Sequence, residues 1–219
     1  MNRKLMLYFA AAGLFSSTPT FAQTSHLYAK TVSPANPNSP ITRLQDSPVS
    51  ELENGCKENK FPYCDALGTK FLNGRGVARD ERRAFSLFSK GCDGGDAGSC
   101  NDLATLYGAG VGVARDTSRA ASLMMKSCYH RFVIACYNLG ESYRIGNGVT
   151  RDPLMATTLL SKACNGGIGE GCLKEAQLLA TQFGVQSKRQ QIIALLHRAR
   201  QLKPSLSEAE TLLRQLGAN

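Results

Sequence analysis

The spacing of the cysteines constrains the fold of this chain more than any other feature of its sequence. All eight cysteines fall into two columns that recur every 36 residues, namely Cys56, Cys92, Cys128 and Cys164 in one column and Cys64, Cys100, Cys136 and Cys172 in the other. A period between 20 and 50 residues is typical of arrays in which each copy packs only against its neighbours. The sequence therefore predicts a repeat array rather than a domain with one central core.

Four copies of the repeat, with a tail, predict an array over residues 51–219. The copies span residues 55–90, 91–126, 127–162 and 163–198. In the fourth copy Glu175 stands in the column of Leu103, and Lys188 stands where the other copies have aspartate. Terminal units of a solenoid are often degenerate in this way. Leucines on both sides of Pro204 predict a C-terminal capping helix.

Each copy contains two helical patterns, separated by a glycine-rich loop. In the second copy, apolar or small residues follow Cys100 at offsets of 3, 4 and 7, which places them on one face of a helix: Leu103, Ala104 and Tyr107. A small residue recurs in the Ala104 column and allows a neighbouring helix to approach closely. A second apolar stripe follows the loop, so we predict an all-α fold of helix pairs.

The loops predict helix termini. Three of them end in an aspartate, which is a favoured N-cap: Asp80, Asp116 and Asp152. Pro153 follows at the position where proline is favoured in a first helical turn. A glycine at the start of each loop suits the left-handed backbone that ends a helix. A phosphate-binding loop would need Gly-Lys-Ser/Thr between a strand and a helix, and this sequence has no such motif.

One cation recurs near the end of the second helix in every copy: Lys90, Lys126, Lys162 and Arg198. The helix macrodipole alone explains a cation near a helix C-terminus. An acidic partner that runs along this edge is the alternative. The sequence does not decide between the two.

Residues 1–22 have the layout of a cleaved signal peptide, with Arg3 and Lys4 ahead of a short apolar stretch and small residues at its end. We predict export to the periplasm or beyond the cell, with no membrane anchor. Residues 23–50 are rich in proline, serine and asparagine and predict a disordered linker. The net charge of +9 comes from cations interspersed with acids, so we predict no nucleic-acid partner.

Export favours disulfides as the state of the cysteines. The C-x7-C spacing differs from structural zinc knuckles, and no histidine recurs with the repeat, so we predict no metal and no cofactor. A redox-active role would require a C-x-x-C type of site, which is absent. Of the 105 ways to pair eight cysteines, only local pairing gives each copy the same crosslink. The predicted bridges are Cys56–Cys64, Cys92–Cys100, Cys128–Cys136 and Cys164–Cys172.

The repeat resembles the Sel1-like repeat family, and in particular its cysteine-rich secreted branch from Helicobacter. The motif is A/G-x-L-[GA]-x-x-Y-x-x-G-x-G-V-x-x-D, then A-x-x-L-x-x-K-x-C, and it is carried by Leu139, Gly140, Tyr143, Gly146, Gly148, Val149, Asp152, Ala156, Leu159, Lys162 and Cys164. The resemblance implies an α/α superhelical solenoid of tetratricopeptide-like helix pairs, linked by disulfides. It also implies adaptor-type work, in which a concave groove holds a peptide or a protein.

The same resemblance implies two alternative functions. Some relatives are described as weak β-lactamases or penicillin binders, and others as periplasmic proteins that neutralise toxic effectors. This sequence contains no Ser-x-x-Lys, no Lys-Thr-Gly and no Gly-x-Ser-x-Gly, so the serine machinery is missing and we predict no catalytic residue. The favoured function is a non-catalytic, monomeric scaffold for protein or peptide partners, which include cell-wall peptides.

If the first helix of each pair lines the groove, the polar residues beside its apolar face are the binding candidates: Asn101, Thr105, Tyr137, Glu141, Arg144 and Gln177. Tyrosine and arginine are enriched among residues that dominate binding energy, which favours Tyr137 and Arg144. The alternative is that all six are ordinary solvated helix surface.

Overall fold

The computed structural model describes residues 44–218, which are helices joined by short loops and contain no strand. The helices are α1 (Val49–Lys57), α2 (Phe61–Asn73), α3 (Glu81–Asp93), α4 (Ala97–Ala109), α5 (Thr117–Tyr129), α6 (Val133–Ile145), α7 (Pro153–Asn165), α8 (Gly169–Phe183), α9 (Arg189–Leu202) and α10 (Ser207–Gln215). The predicted signal peptide and most of the predicted linker lie outside the described residues. Leu44 and Val49, at the end of the predicted linker, pack against the first repeats.

The helix termini follow the predicted loop chemistry. The Asp80 carboxylate accepts a 2.9 Å hydrogen bond from the backbone N–H of Arg83 and caps α3, and Asp116 and Asp152 cap α5 and α7 in the same way. Gly74 ends α2 with φ at +67°, in the left-handed region that favours glycine. These local signals fix the starts of α3, α5 and α7 and the end of α2 before any tertiary contact is considered.

The described residues form two compact units. The N-terminal unit comprises residues 44–135 and 147–150, and the C-terminal unit comprises residues 136–146 and 151–218. In the N-terminal unit each helix from α1 to α5 packs against the next, and α2 also contacts α4. In the C-terminal unit α7 to α10 pack in the same sequential manner. This neighbour-to-neighbour packing is that of a repeat array.

The small-residue column brings the two helices of a pair close together. A Cβ atom on Gly68 would lie 2.8 Å from Phe88, whose side chain is completely buried. A Cβ atom on Gly140 would lie 2.9 Å from Leu160. Ala104, in the same column, is also fully buried. The large side chain of the second helix therefore fills the space that the first helix leaves open.

Each disulfide crosses the turn that joins the second helix of one pair to the first helix of the next pair. Cys56 pairs with Cys64, Cys92 with Cys100 and Cys164 with Cys172, with Cα–Cα distances of 4.7, 4.5 and 4.6 Å. Cys128 and Cys136 are disulfide-bonded as well, and none of the cysteines in residues 44–218 is free. The local pairing predicted from the sequence is thus present.

The recurring cation has a specific partner in the N-terminal unit. Lys90 Nζ donates a 2.7 Å hydrogen bond to the backbone oxygen of Cys56, and Lys126 Nζ donates a 2.8 Å bond to that of Cys92. Each lysine therefore reaches back one repeat and binds the carbonyl beside the preceding disulfide. This contact gives the cation a structural role at these two positions of the column.

The fourth copy departs from the others at its core and at its loop. Glu175 occupies a leucine column and is only 6 % exposed. No side chain caps the start of α9, where Lys188 replaces the usual aspartate. The tail forms α10, whose Leu212 and Leu213 are buried against the end of the array. Leu202 belongs to the end of α9, because the break at Pro204 separates the two helices.

Candidate binding face of the first helices

Two of the predicted binding residues form an ion pair on α6. Arg144 Nε and Nη2 donate hydrogen bonds of 2.8 Å each to the two carboxylate oxygens of Glu141. The side chains are 24 % and 23 % exposed, so the pair is partly shielded from water. The hydrogen bond with Glu141 raises the pKa of Arg144. A two-pronged contact of this kind fixes both side chains in one geometry.

Tyr137 lies one turn before Glu141 on the same helix. Its ring packs beside the cluster of Ala156, Leu160 and Leu178. Burial raises the pKa of the Tyr137 phenol, and nearby carboxylates, Glu141 first, raise it further. The hydroxyl group is therefore neutral at physiological pH and can act as a hydrogen-bond donor.

Gln177, on α8, is held by neighbours that the sequence reasoning did not select. Its Nε2 donates a 2.8 Å hydrogen bond to Glu208 of α10, and its Oε1 accepts a 3.2 Å bond from Lys174. The ion pair on α6 and these groups together are what we call the polar network, which consists of Glu141, Arg144, Lys174, Gln177 and Glu208. The two parts are related through Tyr137, on which the charges of Glu141, Arg144 and Glu208 all act. Glu208 could not be chosen from the repeat pattern, because α10 lies outside the 36-residue copies.

A second contact joins the start of α8 to the end of α9. Lys203 donates a hydrogen bond to Glu170, and the two side chains are 39 % and 31 % exposed. Both Glu170 and Glu208 act electrostatically on Tyr137 and raise its pKa. The C-terminal unit therefore places acidic and basic side chains from several helices near one tyrosine.

Asn101 and Thr105 lie on α4 in the N-terminal unit, where Thr105 is half-buried and Asn101 differs from the expectation that it faces outward. Asn101 is only 6 % exposed, and its Nδ2 donates a 3.1 Å hydrogen bond to Asp102 Oδ1. The Thr105 hydroxyl donates a 3.1 Å bond to the backbone oxygen of Asn101. Their polar groups are thus engaged within their own helix, a common arrangement for threonine in helices.

The sequence reasoning also missed Asp65, which occupies the same repeat column as Asn101 and Tyr137. Its Oδ1 atom is shielded from solvent and has no hydrogen-bond partner in the described part of the chain. Burial raises the pKa of Asp65 well above its ordinary value, and the charges of Asp102 and Asp96 add to the effect. The shared column was the available signal, because it assigns Asp65 to the same helix face.

Metal binding and membrane spanning are two further possibilities for residues 44–218. No group of histidine, cysteine, aspartate or glutamate side chains there has the arrangement needed to hold a metal ion. Over the same residues, every helix is too short or too polar to cross a bilayer.

Tandem helix pairs that pack in sequence, each with a small-residue column and a capped loop, define an all-α repeat solenoid. The model of the Sel1 repeat family matches residues 64–96, 97–130 and 133–168. Residues 64–168 therefore contain three Sel1 repeats, and the predicted fold class is confirmed.

The family's repeats begin at the first helix, whereas the copies defined above begin at the turn before it. In our division each predicted bridge lies within one copy. In the family's division, Cys92 belongs to the repeat 64–96 and Cys100 to the next repeat. The physical role is the same in both divisions, because the bridge fixes the turn that leads from one helix pair to the next.

Two solved structures are similar in fold. The Sel1 repeat protein from Oxalobacter formigenes aligns with a TM-score of 0.70 and 22 % identity over 77 % of this chain and 48 % of its own. The protective antigen c5321 from uropathogenic Escherichia coli, described as having an SLR fold, aligns with a TM-score of 0.65 and 22 % identity over 70 % of this chain and 33 % of its own. The present chain thus spans about half the length of the first protein and a third of the length of the second. The likeness concerns the fold alone.

Helicobacter pylori cysteine-rich protein B is a further structural neighbour. It aligns with a TM-score of 0.48 and 23 % identity over 63 % of this chain and 98 % of its own. A likeness at this level supports no conclusion about function. No curated protein matches the sequence.

Proposed function

We propose that this chain is an exported, non-catalytic Sel1 repeat scaffold that binds a protein or peptide on the first helices of its repeats. The observation that carries the proposal is the polar network of the C-terminal unit. Its side chains come from α6, α8 and α10 and are only partly shielded from water. Such a surface can exchange hydrogen bonds with a partner.

The network is held in place before a partner arrives. Arg144 is fixed by Glu141, and Gln177 is fixed between Lys174 and Glu208. Immobilising a long side chain on binding costs about 0.5–1.5 kcal/mol, and side chains that are already ordered avoid much of that cost. Peptide-binding solenoids benefit from such order, because each repeat contributes only a few contacts.

Export is supported by the disulfides. Six cysteines pair at bonding distance in the structure, and the other two are also disulfide-bonded. Disulfides persist in oxidising compartments such as the bacterial periplasm or the extracellular space. Cell fractionation of the native host tests this part of the proposal, and reduced protein in the cytoplasmic fraction would contradict it.

Affinity capture from the native envelope tests the binding function. We expect Arg144→Ala and Tyr137→Ala to lose at least about tenfold in affinity for the captured partner, because residues of these types dominate many interfaces. Arg200→Ala is the matched control, since Arg200 lies on a second helix of the same unit and pairs with Glu210 at 3.5 Å. Equal loss in all three variants, or none in any, would contradict a specific binding face on the first helices.

The non-catalytic and monomeric parts of the proposal have separate tests. Purified protein should neither hydrolyse nitrocefin nor be labelled covalently by fluorescent penicillin, because the sequence lacks the serine motifs of those reactions. Light scattering should give the mass of one mature chain. Nitrocefin hydrolysis that is lost on one substitution in the first helices would show that the protein is an enzyme and would contradict the scaffold function.

A further inference from the structure

Four exposed apolar side chains lie at one end of the C-terminal unit. They are Ile145 at the end of α6, Leu154 and Met155 at the start of α7, and Phe183 at the end of α8, with 57, 68, 41 and 49 % of their surface exposed. We call these four residues the apolar patch. Single exposed apolar residues are ordinary, whereas a contiguous group of them marks an interaction site.

Hydrogen bonds to the backbone hold the three helix ends together. The backbone N–H of Asp152, which caps α7, donates a 2.9 Å bond to the backbone oxygen of Tyr143, near the end of α6. Gln182 Nε2, near the end of α8, donates a 3.1 Å bond to the backbone oxygen of Pro153, the first residue of α7. Every residue of the apolar patch lies one or two positions from one of these bonded residues. The patch is therefore one region of the surface of the unit.

The repeat itself does not require apolar residues at these positions. The corresponding residues of the first copy are polar, namely Asn73, Arg75, Arg82 and Arg83. Arg83 lies over the ring of Phe71, 4.1 Å from its centre, and pairs with Glu53 at 2.9 Å. A helix pair thus folds with polar side chains in these columns, and packing within the repeat does not explain the apolar patch.

Two cations at the rim of the patch have no acidic partner. Arg151 lies in the loop before α7, and its Nε donates a 3.2 Å hydrogen bond to the backbone oxygen of Arg144. Lys188 follows α8, and its Nζ lies 5.6 Å from the centre of the Phe183 ring. Neither cation forms an ion pair within residues 44–218, and the nearby carboxylate of Asp152 accepts its hydrogen bonds from the first turn of α7. The rim of the patch therefore complements the carboxylate groups of a partner.

The apolar patch continues the face that carries the polar network. Ile145 directly follows Arg144 on α6, and Phe183 lies six residues after Gln177 on α8, about 9 Å along the helix axis. An extended peptide covers that distance with about three residues. One short segment of a partner is therefore long enough to contact both the polar network and the patch.

We propose that the apolar patch binds an acidic, apolar segment of a peptide or protein partner, in which leucine or phenylalanine side chains are flanked by aspartate or glutamate. The apolar side chains of the partner cover the patch, and its carboxylates pair with Arg151 and Lys188. The inference rests on the proposed function, because it names the chemistry of the partner that the first helices bind. An anionic membrane surface would also match apolar and basic groups, but the adjoining polar network offers hydrogen bonds that suit peptide groups better than lipid tails.

Fluorescence anisotropy with the mature protein tests the proposal. The probe is a labelled, capped peptide with the core Leu-Phe-Leu-Phe between two aspartates on each side, and two controls replace either the aspartates by lysine or the core by serine. The aspartate probe should bind at least about tenfold more tightly than either control, a difference of about 1.4 kcal/mol. Its affinity should fall as salt is added, because the rim charges are exposed to solvent. Equal affinities for the aspartate and lysine peptides, or binding to phosphatidylglycerol vesicles without binding of the probe, would overturn the proposal.

Two substitutions remove apolar surface with residues that the repeat already tolerates. Ile145→Ala and Leu154→Ser introduce the residue types that the second copy has in these columns, at Ala109 and Ser118. Each variant should bind the aspartate probe at least about fivefold more weakly, because less apolar surface is covered. Leu202→Ser is the matched control, since Leu202 is an exposed leucine of the same unit that lies beside the start of α8 instead of its end. Unchanged affinity in the two patch variants, or an equal loss in the control, would refute the site.

A charge variant tests the rim separately. The double substitution Arg151→Gln and Lys188→Gln should abolish the preference for the aspartate probe over the lysine peptide, because it removes both cations that lack an acidic partner. Circular dichroism and the melting temperature should stay at their native values, since neither side chain forms an ion pair within residues 44–218. A preference that persists in this variant would show that the rim does not select the partner.

Failure of this site and failure of the proposed function give different results. If the aspartate probe binds through the apolar patch but Arg144→Ala and Tyr137→Ala bind the captured partner normally, the patch stands and the face on the first helices falls. If a partner is captured through Arg144 and Tyr137 but the patch variants bind it as tightly as the native protein, the function stands and the patch falls.

Discussion

Replacing Glu175 by leucine should stabilise the protein, because it restores the residue type that the repeat has in this column. Glu175 is only 6 % exposed, and its Oε2 atom is buried without a hydrogen-bond partner in the described residues. Relief of such an unpaired oxygen is worth roughly 1–3 kcal/mol. Burial of a leucine side chain contributes about 1.5–3 kcal/mol more.

Two losses oppose these gains. Glu175 has a hydrogen bond with Ser161 and a favourable electrostatic interaction with Arg198. Leaving the Ser161 hydroxyl unpaired costs about 1–3 kcal/mol. We therefore expect a net increase of about 1–3 kcal/mol in the free energy of unfolding, which for a chain of this size raises the melting temperature by roughly 2–12 °C.

The effect should depend on pH with a defined sign. Burial raises the pKa of Glu175 above its ordinary value of 4.5. The protonated form is then favoured in the folded state, so its stabilising effect is complete below pH 4.5 and is lost as the pH rises through the folded pKa. The advantage of Glu175→Leu over the native protein should therefore grow as the pH rises through this range and then level off.

Urea unfolding followed by circular dichroism between pH 4 and pH 8 measures this difference. Glu175→Gln is the control, because it keeps the size of the side chain but cannot titrate at this position. The reasoning is refuted if Glu175→Leu is less stable than the native protein at pH 7, or if its advantage is the same at every pH.

Further substitutions test three contacts of the N-terminal unit. Removing one bridge with Cys92→Ala and Cys100→Ala should cost about 2.5 kcal/mol in urea unfolding, from the chain-entropy effect of a small loop; a reduced and an oxidised native sample that unfold together would contradict this. Lys126→Met should cost roughly 1.5–3 kcal/mol, because it removes a charged hydrogen bond to a carbonyl; an unchanged unfolding midpoint would show that the bond adds nothing. Asp116→Ala should lower the free energy of unfolding by about 1 kcal/mol through loss of the α5 cap, whereas Asp116→Asn should retain most of the stability that the cap provides. Equal losses of stability in the two variants would argue against capping.

The helices and their termini were predictable because their signals are local. Asp80 and Asp116 cap helices through their own backbone neighbours, and Gly74 ends a helix through its own φ angle. The disulfide pairing was predictable for a related reason, since each pair is separated by eight residues across a single turn. A regular period then repeats these local rules along the chain.

The candidate site was predictable only in part. Tyr137, Glu141 and Arg144 lie together because they share one helix, and helical spacing alone places them so. The partners of Gln177 could not be foreseen, since Glu208 comes from a helix outside the repeat. Distance along the chain carries no information about such a contact.

The repeat, the helix pairs, their caps and the bridges follow from the amino-acid sequence alone, because each of these depends on residues within one turn or one fixed period. Which polar residues are buried, and which partners they have, depends on the packing of the helices. Asn101 is buried, contrary to expectation, Lys90 donates a hydrogen bond to the carbonyl of Cys56, and Asp65 lies beside Asp96. Those outcomes depend on how closely separate helices approach one another, and the packing of side chains from different repeats sets that distance.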